Sequence, residues 1–520
     1  MKLCDREQMR EMDQRTIEDV GLSGAVLMEV AGRSAARYLH RVLRDSHGGA
    51  PKTIAIFTGG GNNGGDGYVM ARHLDSLGYD VDVLMLAKPE DVKGDAWTYL
   101  EILRRLRPTL IVLQDQFPDL SADALHEKLP YYDVYVDALL GTGVDAEVRG
   151  NYSQVIRYMN EARGIKFAVD IPSGLDANTG QPFGIAFRAD YTATMGMAKN
   201  GLFLDPGRDY AGRVEVIDIG ILPETADEVG ILGELLCEET LAELSYPRPR
   251  TAHKGNFGHV ALVAGSREMP GAAALCAGAA LVSGVGLTTL VTRESARVSV
   301  AAQYTELMTK PVLPDHGELE PDVLADLSRF IEGKSAVGVG PGLGREPVVR
   351  QVLDALLREG HAPVVIDADG LNVLADNLEL LDDTFCPVIL TPHPGEMSRL
   401  TGISVDEGMN DPLGWAISLA QQVSAYVVLK CSTTVLCAPD GRYAINNTGN
   451  PGMATGGSGD LLTGLLTGLL ASGMTPWDAA RVATFSHGRA GDLAAAIAGQ
   501  RVMRAGHILE QIPRALQFLQ

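Results

Sequence analysis

The most informative stretch of this 520-residue chain reads Asn450-Pro451-Gly452-Met453-Ala454-Thr455-Gly456-Gly457-Ser458-Gly459-Asp460. An apolar run that begins Leu461-Leu462 follows at once and predicts a helix. Glycines with free backbone N–H groups, placed just before a helix, form a concave anion site at the positive end of the helix dipole. Asp460 stands at the first helical positions, where the dipole favours its ionised form. A carboxylate there can accept the proton of a hydroxyl that attacks phosphorus, so the stretch predicts a phosphoryl-transfer site.

The alternative for Asp460 is a plain helix cap beside a glycine-rich loop. Further loops argue for a site, because they follow short apolar strands in the same half of the chain. The carboxyl ends of parallel strands meet at one edge of a sheet, where ligands bind. These loops are Gly340–Gly344 (GPGLG), Asp367–Asn372 (DADGLN), Thr391–Glu396 (TPHPGE) and Lys430–Thr434 (KCSTT). His393 and Lys430, taken singly, are also compatible with structural roles.

The first half of the chain predicts another α/β domain. Apolar residues at helical spacing over 4–19 and 24–44 predict two helices before the first strand. Short apolar strands then alternate with helical segments, which indicates a parallel sheet covered on both faces. The predicted strands are Thr53–Phe57, Val81–Leu86, Thr109–Leu113, Val134–Val136, Lys166–Val169 and Val214–Ile217.

Three loops of this half fall at strand ends: Thr58–Gly67 (TGGGNNGGDG, before a helix predicted over Tyr68–Leu77), Asp137–Gly143 (DALLGTG) and Asp170–Asp176 (DIPSGLD). The first satisfies the dinucleotide pattern GxGxxG. The second strand, however, ends Leu86-Ala87-Lys88 without the acid that a dehydrogenase needs, which disfavours hydride transfer. A buried strand-end aspartate needs a hydrogen-bond partner, a cation or a substrate, and a turn cap is the alternative for each.

Composition excludes several classes of partner. A formal net charge of −22 argues against nucleic acid and anionic membranes, which attract basic surfaces. Six cysteines without CxxC spacing, and an N-terminus without an apolar signal core, favour the reduced cytoplasm. The uncharged stretch Gly271–Val291 contains four glycines and is interpreted as a buried helix followed by a strand rather than a membrane span. The acidic, proline-punctuated stretch 222–250 is interpreted as a linker, giving domains 1–225 and 226–520.

The three loops of the first half resemble those of the NAD(P)H-hydrate epimerase domain, a Rossmann-like three-layer fold. The resemblance implies that one set of residues lines the hydrated dinucleotide: Asn62, Asn63, Gly64, Gly65, Asp66, Gly141, Thr142, Gly143, Val144, Asp145, Ala146, Glu147, Tyr152 and Asp170. Asp170 would be the acid–base, and Asn63, Asp137 and Ser173 would coordinate K⁺. Members of the family commonly carry a basic residue where this chain reads Val144–Glu147, and nearby Arg149 is a candidate substitute.

The loops of the second half resemble those of the ribokinase-like NAD(P)H-hydrate dehydratases. The resemblance implies Ala272 or Ala273, Gly342, His393 and Asp460 at the hydrate, with Asp460 catalytic. It implies Lys430, Cys431, Ser432, Thr433, Thr434, Gly456, Gly457 and Gly459 at the nucleotide, which would be ADP or ATP with Mg²⁺. The implied protein is a bifunctional, homo-oligomeric isomerase and lyase that repairs NADHX and NADPHX. Two alternatives stay open: a vitamin kinase of the same fold, and a first half that only binds nucleotides or a partner as a scaffold.

Overall fold

The computed structural model describes residues 1–47, 53–106, 109–245, 248–382 and 384–519. The chain divides into two compact units, Lys2–Leu232 and Gly233–Gln520, with Met1 grouped with the second. The division lies seven residues beyond the predicted boundary at 225. Each unit is an α/β domain, as predicted.

The first unit is built on seven strands, all paired in parallel: Thr53–Thr58, Asp80–Met85, Thr109–Val112, Val134–Ala138, Ile165–Val169, Tyr191–Met195 and Arg213–Ile217. Counted along the chain, their order in the sheet is 3-2-1-4-5-6-7, the doubly wound arrangement of Rossmann-like folds. A short parallel pair joins Lys2–Cys4 to Ala198–Lys199. The helices are Arg6–Glu18, Gly24–His47, Asn62–Ser76, Gly94–Leu106, Leu113–Gln116, Ala122–Lys128, Gly150–Glu161, Gly207–Ala211 and Pro223–Glu228.

Alternation along the strands places apolar side chains on both faces of this sheet. Ile54 and Ile56 pack into one buried cluster, whereas Ala55 and Phe57 pack into another. Each cluster also contains side chains from helices, so helices cover both faces and the predicted three-layer architecture is confirmed.

The second unit contributes ten strands: Gly233–Leu235, His259–Val263, Leu287–Arg293, Met308–Leu313, Ala336–Val339, Val364–Ile366, Val388–Leu390, Tyr426–Leu429, Thr434–Cys437 and Tyr443–Asn446. In chain order they run 4-3-2-5-6-7-8-9-10-1 across the sheet. Pairing is parallel along the series 4-3-2-5-6-7-8, and the ninth strand is antiparallel to both its neighbours. The helices are Glu238–Ala242, Pro270–Val282, Glu294–Ala301, Pro321–Glu332, Pro347–Glu359, Asp369–Ala375, Pro394–Thr401, Val405–Gly408, Pro412–Gln422, Ser458–Ala471, Pro476–Ala498 and Ala505–Ala515.

Two local predictions are wrong. The helix after the first strand begins at Asn62 rather than Tyr68, because Gly64 and Gly67 let its first turn approach the neighbouring strand ends closely. A methyl group on Gly64 would lie 2.2 Å from the Gly59 carbonyl oxygen. The predicted linker contains the helices Pro223–Glu228 and Glu238–Ala242 and the strand Gly233–Leu235; its residues 246 and 247 lie outside the described part of the chain.

The uncharged stretch Gly271–Val291 forms a helix and then a strand, as predicted: Pro270–Val282 and Leu287–Arg293. Among the described residues, no helix combines the length and the apolar character needed to cross a membrane.

Candidate functional sites

The first site lies at the carboxyl ends of the strands of the first unit and contains a fully buried carboxylate, Asp137. Its Oδ1 accepts a hydrogen bond from Ser173 Oγ at 2.6 Å, and its Oδ2 accepts one from Ser173 N at 2.7 Å. Burial raises the pKa of Asp137 to about 6 even though these hydrogen bonds lower it. Asn63 is 7% exposed, and its amide nitrogen donates to the Leu140 carbonyl at 3.0 Å. The other amide atom, Oδ1, is buried and has no hydrogen-bond partner among the described residues.

Asp170 occupies the next strand end, with a backbone φ of +65°. A non-glycine residue in the left-handed region is strained, and such strain clusters at active sites. The carboxylate is held by Lys199, whose Nζ lies 2.6 Å from Asp170 Oδ1 and whose side chain is 1% exposed. Lys199 Nζ also donates to Thr194 Oγ1 at 3.1 Å and to the Met195 carbonyl at 2.7 Å. All three donors of the ammonium are used, so the ion pair has a fixed geometry.

Two further carboxyl groups lie within electrostatic reach of this ion pair. Burial, and then the charges of Asp170 and Asp13, raise the pKa of Asp66 well above its ordinary value. Burial also raises the pKa of Asp13 to about 6, with Lys199 lowering it and Asp170 raising it. Asp66 is the fifth residue of the helix Asn62–Ser76, and Asp13 lies on the helix Arg6–Glu18. The site therefore gathers three carboxyl groups around one buried lysine.

The loop Gly141–Glu147 connects this centre to the protein surface. A methyl group on Gly141 would lie 3.4 Å from Asn63 Cβ and 4.0 Å from Asp170 Oδ2, so the loop begins beside both predicted residues. The loop is largely exposed: Gly143, Asp145, Ala146 and Glu147 are exposed, and Thr142 and Val144 are half-buried. Tyr152 is half-buried in the helix that follows, Gly150–Glu161.

The second site lies at the strand ends of the second unit, around Asp367. This carboxylate is 1% exposed. Lys430 Nζ donates to Asp367 Oδ1 at 2.6 Å, and Thr463 Oγ1 donates to Asp367 Oδ2 at 2.6 Å. A methyl group on Gly459 would lie 3.3 Å from Lys430 Nζ, so the backbone of Gly459 lies close to the ammonium group.

Asp460 follows Gly459 in the first turn of the helix Ser458–Ala471. Burial, and then the negative charges of Asp367 and Asp369, raise the pKa of Asp460 to about 7, although Lys430 lowers it. Desolvation and like charge therefore outweigh the helix dipole, which favours the ionised form, in setting this pKa. A pKa near 7 suits a general base that works at neutral pH.

The remaining predicted hydrate residues lie on neighbouring loops. A methyl group on Gly342, at φ +64°, would lie 2.9 Å from Ala272 Cβ, so these two residues are adjacent. Ala273 is fully buried and packs against Gly265 instead. His393 begins the helix Pro394–Thr401; its Nδ1 accepts from Gly395 N at 3.0 Å, and its backbone N–H donates to Glu396 Oε2 at 2.8 Å. Burial raises the pKa of Glu396 to about 7.

The predicted nucleotide residues form two segments. Residues 430–434 lead from the end of the strand Tyr426–Leu429 into the strand Thr434–Cys437, where Cys431 Sγ donates to the Thr433 carbonyl at 2.7 Å. Ser432 is exposed and Thr433 is buried. Gly457, at φ +91°, precedes the helix Ser458–Ala471, and a methyl group on the exposed Gly456 would meet no atom within 4 Å. That open space above a helix N-terminus can accommodate an anion.

Sequence reasoning assigned no role to Lys199, Asp13, Glu396 or the pairing of Asp367 with Lys430. Lys199 ends the short strand Ala198–Lys199. A lysine at the end of a short apolar segment was the available signal. Asp367 was visible as the first acid of DADGLN, but its contact with Thr463 spans 96 residues of sequence.

Comparison with known proteins gives matches for both units. The family model described as NAD(P)H-hydrate dehydratase matches residues 260–514, and the one described as YjeF-related protein N-terminus matches residues 24–201. The chain is 39% identical to the bifunctional NAD(P)H-hydrate repair enzyme Nnr of Moorella thermoacetica, over 100% of this chain and 97% of that protein. It is 37% identical to the protein of the same name from Thermofilum pendens, with the same coverage. The crystal structure of the ADP/ATP-dependent NAD(P)H-hydrate dehydratase of Bacillus subtilis, co-crystallised with ATP/Mg²⁺, is 31% identical, with a TM-score of 0.48, and covers 55% of this chain and 99% of that one.

Proposed function

Because the chain belongs to the family of bifunctional NAD(P)H-hydrate repair enzymes, we propose that each strand-end site described above carries one step of the repair. The protein combines an isomerase and a lyase activity on hydrated NADH and NADPH. The whole-length relatives favour this function over a vitamin kinase, and over a first half that only binds. The observation that carries the assignment of the second site is the buried Asp367–Lys430 pair beneath Gly459 and beside Asp460.

In the second unit, Asp460 accepts the proton of the ring hydroxyl while the hydroxyl oxygen attacks the terminal phosphoryl group of the donor. The bond between that phosphorus and its bridging oxygen breaks, and the shortened nucleotide leaves. Lys430 faces the donor, and the backbone N–H groups of Gly456, Gly457 and Gly459 bind the transferred phosphoryl group. The ring nitrogen lone pair then expels phosphate from the neighbouring carbon, and loss of a proton from the adjacent carbon restores the double bond of NAD(P)H.

The donor is ADP or ATP, and the resemblance to bacterial two-domain members favours ADP. Mg²⁺ on the donor neutralises phosphate charge during transfer. Within the described ranges, no three His, Cys, Asp or Glu side chains are grouped so as to hold a metal ion. This fits an ion held mainly by the phosphate oxygens of the nucleotide, which is how Mg²⁺ commonly binds in phosphoryl-transfer sites.

In the first unit, Asp170 moves a proton to or from the hydroxyl of the same ring carbon, and Lys199 orients Asp170 through their ion pair. Residues 62–66 and Gly141–Glu147, with Tyr152, line the dinucleotide. Asp66 and Asp13 complete the polar wall of the pocket. The six cysteines are all free thiols, which supports the proposal of a reduced cytoplasmic location.

Potassium fits the donor set of the first site. Asn63 Oδ1 is buried without a partner, and the fully buried Asp137 carboxylate forms no ion pair among the described residues. Both oxygens, with Ser173 Oγ, are the hard ligands that such a cation takes. We propose that K⁺ binds these three residues and neutralises Asp137.

The proposed potassium site predicts a pH-dependent stabilisation. Without the ion, the raised pKa of Asp137, about 6, means that the protonated carboxyl group stabilises the fold at low pH. This stabilisation is lost as pH rises through 6. K⁺ binds the ionised carboxylate, so its stabilising effect should be small at pH 5 and large at pH 8. The check is the melting temperature of the full chain in KCl and in tetramethylammonium chloride of equal ionic strength. Asp137→Asn should abolish the difference, and equal melting temperatures of the parent in both salts at pH 8 would exclude the ion.

The repair activity itself is tested by incubating the full chain with NADHX and ADP or ATP in the presence of Mg²⁺. The return of absorbance at the NADH maximum reports dehydration, and release of inorganic phosphate in equal amount reports loss of the phosphorylated intermediate. Accumulation of a stable phosphorylated product without NADH would instead indicate a kinase.

A further inference from the structure

The loop Gly141–Glu147, predicted to line the hydrated dinucleotide, has no free positive charge of its own. Residues 143–147 include two carboxylates, Asp145 and Glu147, and no basic residue. The nearest arginine along the chain, Arg149, is engaged by Glu147, with its Nε 3.0 Å from Glu147 Oε2. A hydrated dinucleotide carries two phosphate charges in its diphosphate bridge. In a protein of net charge −22, those charges need a local cation.

The helix Arg6–Glu18 is hydrogen-bonded to this loop. Arg6 Nη1 donates to the Val144 carbonyl at 3.0 Å, and Arg6 N donates to Asn178 Oδ1 at 2.8 Å. Asn178 Nδ2 in turn donates to Glu7 Oε2 at 3.1 Å. Asp5 caps the helix by accepting from Gln8 N at 2.7 Å. The first turn therefore has a defined position relative to two loops of the site, those that follow Asp137 and Asp170.

Arg10 lies one turn after Arg6 on the same helix, and its guanidinium lies near Gly143 of the loop. Its Nη2 would lie 3.9 Å from a methyl group placed on Gly143. Within the described part of the chain, no hydrogen bond or ion pair involves its guanidinium. Arg15, on the same helix, differs: its Nη2 lies 2.7 Å from Glu11 Oε1. Arg10 is exposed and is free to bind an anion at Gly143.

We propose that Arg10 binds the diphosphate of the hydrated dinucleotide at the loop Gly141–Glu147, with Arg6 as the anchor that fixes the helix over the loop. A guanidinium pairs with phosphate oxygens through two parallel N–H···O bonds and stays charged at every relevant pH. The diphosphate is remote from the reacting ring, so this contact serves substrate binding rather than the chemical step. The inference rests on the proposed epimerase function of the first unit.

The test uses the full chain and four variants: Arg10→Ala, Arg10→Gln, Arg10→Lys and Arg15→Ala. Epimerisation of NADHX is followed by chromatography of the two hands, without nucleotide, over a range of substrate and NaCl concentrations. We expect Arg10→Ala and Arg10→Gln to raise KM about tenfold with kcat within twofold of the parent, because a charge-assisted contact is lost. Arg10→Lys should keep most of the affinity, and Arg15→Ala should match the parent. Added NaCl should raise KM for the parent more steeply than for Arg10→Gln.

Several outcomes would overturn the assignment. KM within twofold of the parent in both Arg10→Ala and Arg10→Gln would show that Arg10 does not bind the substrate. A fall in kcat with unchanged KM would show a structural role of the helix. The melting temperature of each variant controls for folding of the first unit, and Arg10→Gln and Arg10→Lys decide the question should Arg10→Ala not fold. A parent that does not interconvert the two hands would refute the proposed epimerase function instead, which separates that failure from the failure of Arg10.

Discussion

Asp460 is the residue on which we propose that dehydration depends. Asp460→Asn keeps the shape of the side chain but cannot accept a proton, so we expect dehydration to fall by about 10²–10⁴-fold. Because only the ionised carboxylate acts as a base, and its pKa is raised to about 7, dehydration by the parent should increase with pH up to about 7 and then level off. Initial rates of NADH formation between pH 5.5 and 9 check both statements. Epimerisation by Asp460→Asn should equal that of the parent, and dehydration within threefold of the parent would reduce Asp460 to a helix cap.

We propose that Lys199 is a positioning residue that acts through Asp170. Lys199→Met leaves the carboxylate without its cation, so epimerisation should fall by about 10–100-fold, in kcat rather than in KM. Lys199→Arg keeps the charge and should retain more of kcat. Removing one partner of a buried ion pair also destabilises the fold by about 3–5 kcal/mol.

The double variant Lys199→Met/Asp170→Asn separates stability from catalysis. It removes both charges of the pair, so it should regain melting temperature relative to Lys199→Met while staying inactive as an epimerase. A Lys199→Met enzyme whose kcat stays within threefold of the parent would mean that the lysine only supports the fold.

At the scale of elements, the second site depends on the close packing of two helices, Pro270–Val282 and Ser458–Ala471. A methyl group on Gly464 would lie 1.9 Å from the Cys276 carbonyl oxygen, so Gly464→Ala must push the helices apart. We expect a loss of about 1–3 kcal/mol in the free energy of unfolding. Dehydration should fall as well, since Asp460 lies one turn before Gly464 on the same helix, whereas epimerisation should be unaffected.

Gly506→Ala is the matched control for this packing. Gly506 is helical like Gly464, but it is exposed, and a methyl group there would meet no atom within 4 Å. Its replacement should be neutral or stabilise by about 0.4–1 kcal/mol. Calorimetric melting of the two variants checks the pair. Equal melting temperatures for both would show that the two helices can separate without loss of stability.

The same scale shows what the sequence could and could not predict. Strand-end loops were predictable, because glycine and aspartate interrupt apolar runs at the points where parallel strands end. The helix start at Asn62 was not, since Asn-Asn-Gly-Gly-Asp-Gly has poor helix propensity and close tertiary packing overrides it. The contact of Lys199 with Asp170 spans 29 residues and depends on how the strand Ile165–Val169 pairs with Tyr191–Met195, which no local pattern encodes.

At the scale of the whole molecule, two enzymes on one chain act on the two hands of one substrate. The net charge of −22 means that both units must concentrate positive charge locally. Lys199 and Lys430 each place one positive charge at their centre, in contact with a carboxylate at 2.6 Å. The predicted homo-oligomeric state and the functional boundary near residue 225 stay predictions. What the arrangement does imply is a particular time course for a mixed substrate.

Offered both hands of NADHX with donor nucleotide and Mg²⁺, the intact protein should convert the whole pool in one continuous phase. Asp170→Ala should consume the hand that the second unit accepts at the parental rate and then continue only as fast as the uncatalysed interconversion of the hands. The reason is that Asp170 belongs to the first unit and Asp460 to the second, so removing one proton carrier leaves the other centre intact. Absorbance at the NADH maximum, followed to completion, checks the phases. A single fast phase in Asp170→Ala would make Asp170 dispensable, whereas two phases in the parent would show that the first unit does not supply the second with the hand it needs.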